Sequence, residues 1–165
     1  MANKDAAFGF KPVRHLSGGE IRTNEYKIAA NYGTSIFQGQ AVLAVTAGGI
    51  EAAAFSNHYP ASTNASDIVA FVYDDPRIVF EVQHDGTGTA AMNFGGFDLV
   101  GVAGSTLSGR STQELDTSTV TTSGQFKQIG ISKDPNNSDT GAANANVYVI
   151  PNTGEHSYLL TTALA

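Results

Sequence analysis

The run Ile68-Val69-Ala70-Phe71-Val72-Tyr73 constrains this chain more than any other stretch. β-branched and aromatic residues dominate it, and six residues is strand length, well short of a helix. Asp74-Asp75-Pro76 stops it, because proline lacks a ladder donor and pushes the residue before it out of helical conformation. A second run, Ile78 to Gln83, resumes with Ile78, Phe80 and Val82 on one face. Glu81 and Gln83 point to the other face, which is expected to be at least partly wet. Asp85-Gly86 ends the pair, and together the residues predict a hairpin-like unit.

Shorter signals of the same kind surround it. Ile28 to Tyr32, Ser35 to Phe37 and Ala41 to Val45 are apolar pieces split by Gly33 and Gly39, with Gln38-Gly39-Gln40 as a hairpin corner. Gly48-Gly49 marks a tight turn, with a return strand over Ile50 to Phe55. Residues 56–66 read as a loop, and 87–124 as a long Gly/Ser/Thr-rich excursion with apolar islands at Phe94, Phe97 to Val100 and Leu115. Phe126 to Ile131 and Val147 to Ile150 are the remaining strands, with Tyr158-Leu159-Leu160 as a further edge strand or short turn. Residues 1–27, interrupted by Gly9, Pro12, Gly18 and Gly19, read as an extended N-terminal arm on a single β domain over 28–165. The predicted fold is all-β, a compact barrel or sandwich of short strands.

Composition narrows the chemistry. At 165 residues the chain is long enough for a core without covalent staples. It has no cysteine, so it has neither disulfides nor thiolate chemistry. With 15 acidic against 9 basic residues, its net charge is -6. That balance lacks the basic footprint of a nucleic-acid binder. No apolar run approaches membrane-spanning length, so no membrane partner is expected. Met1 to Asp5 lacks the apolar core of a cleaved leader, pointing to synthesis in the cytoplasm without such export.

No motif assembles a catalytic set. Gly104 to Ser111 has P-loop spacing with Arg110 where a lysine belongs. The Ser/Thr-rich stretch after it is a poor helix, so a turn-rich loop is the preferred reading. His15, His58, His84 and His156 lie far apart without metal-ligand spacing. Asp74 and Asp75 are read as a strand stop, since calcium needs more oxygens than this corner supplies. No G-x-S-x-G elbow surrounds Ser105, Ser108 or Ser111. The sequons at Asn64 and Asn136 carry little weight without a leader. No enzyme activity, cofactor or metal is expected.

Four stretches carry a family resemblance. They are residues 1–15 with Gly18-Gly19, Tyr32 to Val42, Asp67 to Pro76 with Phe80 to Gln83, and Gly104 to Ser111 with Glu114-Leu115-Asp116. In this order, over most of the chain, they resemble the capsid decoration (cement) proteins of tailed bacteriophages. Between Ala54 and Tyr59 the chain is shorter than the family's pattern, so interfaces are not carried over in detail. The resemblance implies a non-enzymatic virion protein, made in the host bacterial cytoplasm, on the outside of the head. It also implies the major capsid protein as partner and a homotrimeric state. Phe8, Phe10, Pro12 and Arg14 in the arm are the expected capsid contacts, and Phe71, Tyr73 and Phe80 the expected subunit interface. On this reading, deleting residues 2–14 abolishes capsid binding while leaving the β domain folded. A tail, vertex or head-fibre component is an alternative. Another is a carbohydrate-binding β module using Tyr59, Tyr73 or Tyr148, which the lack of tryptophan weakens.

Overall fold

A computed structural model describes residues 2–42, 44–45, 49–50, 58–63, 68–101 and 104–152. The readings at Tyr158 to Leu160, His156, the Asn64 sequon and most of Ile50 to Phe55 lie outside the described residues. The described residues form thirteen strands. In order they are β1 (Lys11–His15), β2 (Asn24–Lys27), β3 (Ile36–Phe37), β4 (Ala44–Val45), β5 (Gly49–Ile50), β6 (His58–Tyr59) and β7 (Val69–Val72). Then follow β8 (Ile78–Gln83), β9 (Gly96–Phe97), β10 (Leu99–Val100), β11 (Glu114–Leu115), β12 (Phe126–Ile131) and β13 (Asn146–Pro151). One 3-10 turn, Ala90–Met92, joins them. The fold is all-β, and the named strands pair antiparallel.

A five-stranded sheet in the order β1-β8-β13-β12-β9 carries the main core. β8 sits between β1 and β13, and all six of its residues are buried. Ile78, Phe80 and Val82 join Phe10, Phe97, Leu115, Val147 and Val149 in one apolar cluster. Ile28, Ile36 and Ile68 form a smaller second cluster.

The predicted hairpin over Ile68 to Gln83 does not form as such. Both halves are strands, but β7 pairs with β2, and β8 pairs with β1 and β13. Residues 11–27 therefore run antiparallel alongside 69–83, from Lys11 opposite Glu81 to Lys27 opposite Val69. Asp74 and Asp75 link the two tracks. Asp74 accepts hydrogen bonds from Asn24 Nδ2 and the Tyr26 hydroxyl, and Asp75 lies 3.0 Å from His15 Nε2. Apolar alternation fixes which residues form strands, whereas these cross-links help fix which strands meet. The corner at Gln38 to Gln40 is present, with Gln40 N–H bonded to Phe37 O. It does not join a hairpin, since β3 pairs with β6 and β4 with β5.

The expected arm is thus corrected from Gly9 onward. Phe10 N–H donates to Gly39 O at 2.7 Å, and the Phe10 ring stacks on Phe126 with centroids 4.4 Å apart. Gly9 holds a φ of +72°, and a Cβ there would collide with Gly39 O and Ser111 Cβ. Only glycine meets both demands cheaply. β1 then forms the sheet edge, where Pro12 has no ladder donor to lose, and a bulge lies between Pro12 and Arg14.

The expected wet face of β8 is corrected as well. Glu81 and Gln83 are buried because residues 4–6 and the 132–146 region cover them. Gln83 Nε2 donates to Lys4 O, Asn144 O and Asn146 Oδ1, while its Oε1 accepts from Ala6 N–H. Asn144 adopts a φ of +63°, a conformation asparagine tolerates better than most side chains. The 87–124 excursion contains only two-residue strands and the 3-10 turn among its described residues.

Candidate functional site

Of the expected capsid contacts, Phe10 is only 8% exposed and belongs to the core cluster. An aromatic ring packed on Phe80 and Phe126 is not available to a partner, which removes Phe10 from the contact set. Phe8 and Pro12 are half-buried and Arg14 is exposed. Arg14 sits on the edge strand opposite Val79.

The expected subunit interface divides in the same way. Phe80 is buried in the core, again a correction, with its ring edge-on to both Phe10 and Tyr73. Phe71 is 68% exposed and Tyr73 41%. Phe71 is held on β7 opposite Glu25 of β2. Backbone pairing therefore presents a large apolar ring to solvent on a fixed strand. Leu107, Phe94, Leu16, Val120 and Val100 are also exposed, but they lie on other elements or turns.

The P-loop lookalike closes on itself. Gly104 bridges Ser111, Ser105 N–H donates to Arg110 O at 2.9 Å, and Gly109 N–H to Ser105 O at 2.7 Å. Its described continuation is the short strand β11, so its amides do not open a helix. Tyr59, Tyr73 and Tyr148 belong to three separate parts of the fold, on β6, after β7 and on β13. Among the described residues, no group of three or more His, Asp or Glu side chains converges on a metal-sized site.

Two features had no distinguishing signal in the sequence. One is an ionisable pair of segments around β11. Glu114 Oε1 is buried without a partner among the described residues, near Asp5 and Asp85. Burial first, then those two carboxylates, push its carboxyl up to about 7. His84 is wholly buried in a strand-end position bridging Leu115. Its Nε2 lies 2.9 Å from Gln128 Oε1, whose amide nitrogen donates to Asn93 Oδ1. Nδ1 has no partner and faces Gly88, where a Cβ would collide with it. A proton on Nδ1 would therefore be stranded, and burial lowers the ring's affinity for it.

The other feature is a cluster of carboxamides. Asn137 and Asn146 are each 5% exposed and join the Gln83 network beneath the N-terminal segment. In the sequence, Asp134-Pro135-Asn136-Asn137 reads only as a strand stop, because the bonds of Asn137 Nδ2 to Lys4 O, 133 residues away, and to Asn144 O leave no periodic pattern. No protein-family model, curated protein or solved structure matches the chain.

Proposed function

We propose that the chain is a non-enzymatic capsid decoration protein of a tailed bacteriophage, binding the outside of the major capsid protein lattice as a homotrimer and stabilising the head. Phe71 is the single observation that carries the reading. A phenyl ring exposed on a paired strand supplies apolar area for docking and has little backbone freedom left to lose. The all-β body around it packs apolar side chains into two core clusters. Such a protein stabilises the shell by mass action, since it binds assembled capsomers and not separated ones.

Phe71 and Tyr73, expected from the sequence at the subunit interface, are reassigned to the capsid contact in place of the core residue Phe10. Phe71→Ser is expected to change folding stability by no more than about 0.5 kcal/mol, as at other exposed positions. The same substitution is expected to weaken binding to undecorated heads at least about tenfold, as for an interface anchor. Co-sedimentation of purified protein with such heads reads the effect. Unchanged binding by the folded variant would remove Phe71 from the contact.

A further inference from the structure

The carboxamide cluster borders a cavity of about 330 Å³ between the N-terminal segment and the five-stranded sheet. This lies at the lower end of the size range of small-molecule pockets. Lys4, Phe8, Asp134, Asn136, Asn137 and Asn146 line it. Lys4 and Asn136 are exposed, so the cavity can be entered from solvent.

The polar residues lining this space offer groups of mixed kind. Asn137 spends its Nδ2 on Lys4 O and Asn144 O, at 2.7 and 2.8 Å, which leaves Oδ1 as an acceptor without a partner. Asn146 spends its Oδ1 on Gln83, which leaves Nδ2 as a donor without one. Both residues are only 5% exposed, yet neither atom is among the buried, unpartnered ones, so each still reaches solvent and is open to a ligand. Asp134 accepts two bonds from Asn136 at Oδ1, and its other oxygen remains for a ligand hydroxyl. Lys4 adds a donor at the rim, and the half-buried Phe8 adds an apolar wall.

We propose that this cavity is a binding site for a neutral, monosaccharide-sized polyhydroxylated ligand. Hydroxyls both donate and accept, so they match a donor on Asn146 and an acceptor on Asn137 within one small ring. The aliphatic face of such a ring packs on Phe8. One lysine and one aspartate balance each other, which disfavours a ligand of single charge such as phosphate. This inference is independent of capsid binding and uses none of the tyrosines the sequence put forward for glycans.

The test is titration of the intact protein with glucose, galactose, mannose and N-acetylglucosamine, followed by NMR of the Asn137 and Asn146 side-chain amides. At least one sugar is expected to shift these signals saturably, with a dissociation constant of about 1–10 mM. Phe8→Ala is expected to weaken that binding about tenfold with the remaining spectrum unchanged, losing the apolar wall. Should Phe8→Ala fail to fold, Lys4→Met, at an exposed position, is expected to weaken it about threefold through the lost donor. No shift with any of the four sugars at about 50 mM, beyond the millimolar range, overturns the proposal. So does equal affinity in the folded variant, or a response to glycine but to none of the sugars.

Discussion

Replacing Phe10 with alanine is expected to cost about 3–5 kcal/mol of folding stability, the range for a large aromatic side chain removed from a core. The ring stacks on Phe126, meets Phe80 edge-on and is almost wholly shielded from water. Its removal loses apolar burial and leaves a cavity against a sheet that cannot fully close. A domain of this size has about 5–15 kcal/mol in total, so the variant would sit near the folding threshold. Deleting residues 2–14 removes the same ring, the Gly9–Gly39 crossing and most of edge strand β1, and is expected to prevent folding. Urea denaturation of Phe10→Ala measures the effect directly. A change below about 0.5 kcal/mol, as at an exposed site, would mean that residues 2–14 are a detachable arm after all.

The second expected result concerns pH. Glu114 binds its proton more tightly folded than unfolded, because its carboxylate is partly desolvated beside Asp5 and Asp85. Its contribution is fully present below the unfolded value of 4.5 and is lost as pH rises to about 7. His84 acts in the opposite sense. Its folded affinity is lowered below the ordinary value of 6.5, so its contribution is present above 6.5 and lost as pH falls. Below 6.5 the two slopes oppose each other; between 6.5 and about 7 the Glu114 loss stands alone.

Glu114→Gln keeps the shape and removes the charge. It is expected to match the parent protein near pH 5 and exceed it at pH 8 by about 1 kcal/mol, a value reduced from the full shift because water reaches part of the side chain. Its stability should rise through pH 6.5 and then stay level. Thermal unfolding at several pH values reads this. An equal offset at every pH would mean that the carboxyl does not titrate in this range.

Much of the fold was legible because apolar alternation is local. Phe126 to Ile131 is a strand as read, and the Ile68 to Tyr73 and Ile78 to Gln83 runs contain β7 and β8. Partner choice was not legible in the same way. Adjacent strands with a proline corner read as a hairpin, whereas both pair with residues 11–27 across a separation of more than forty residues. The same long-range pairing made Gly9 and Phe10 look like arm residues, since neither the Gly39 crossing nor the Phe126 stack leaves a local period. Glu81 and Gln83 looked solvent-facing for a related reason: polar side chains can be buried once a distant segment supplies their hydrogen bonds. Of the proposed contacts, Phe71 and Tyr73 remain at the surface, while Phe10 and Phe80, equally aromatic in the sequence, belong to the core.

The most direct test of capsid decoration is the number of copies per purified virion, measured by quantitative mass spectrometry against the major capsid protein. The account predicts a ratio near one to one, or a simple fraction of it, as lattice positions require. A few copies to a few dozen per particle would contradict it and place the protein at a tail, vertex or fibre. Absence from the particle would contradict it altogether.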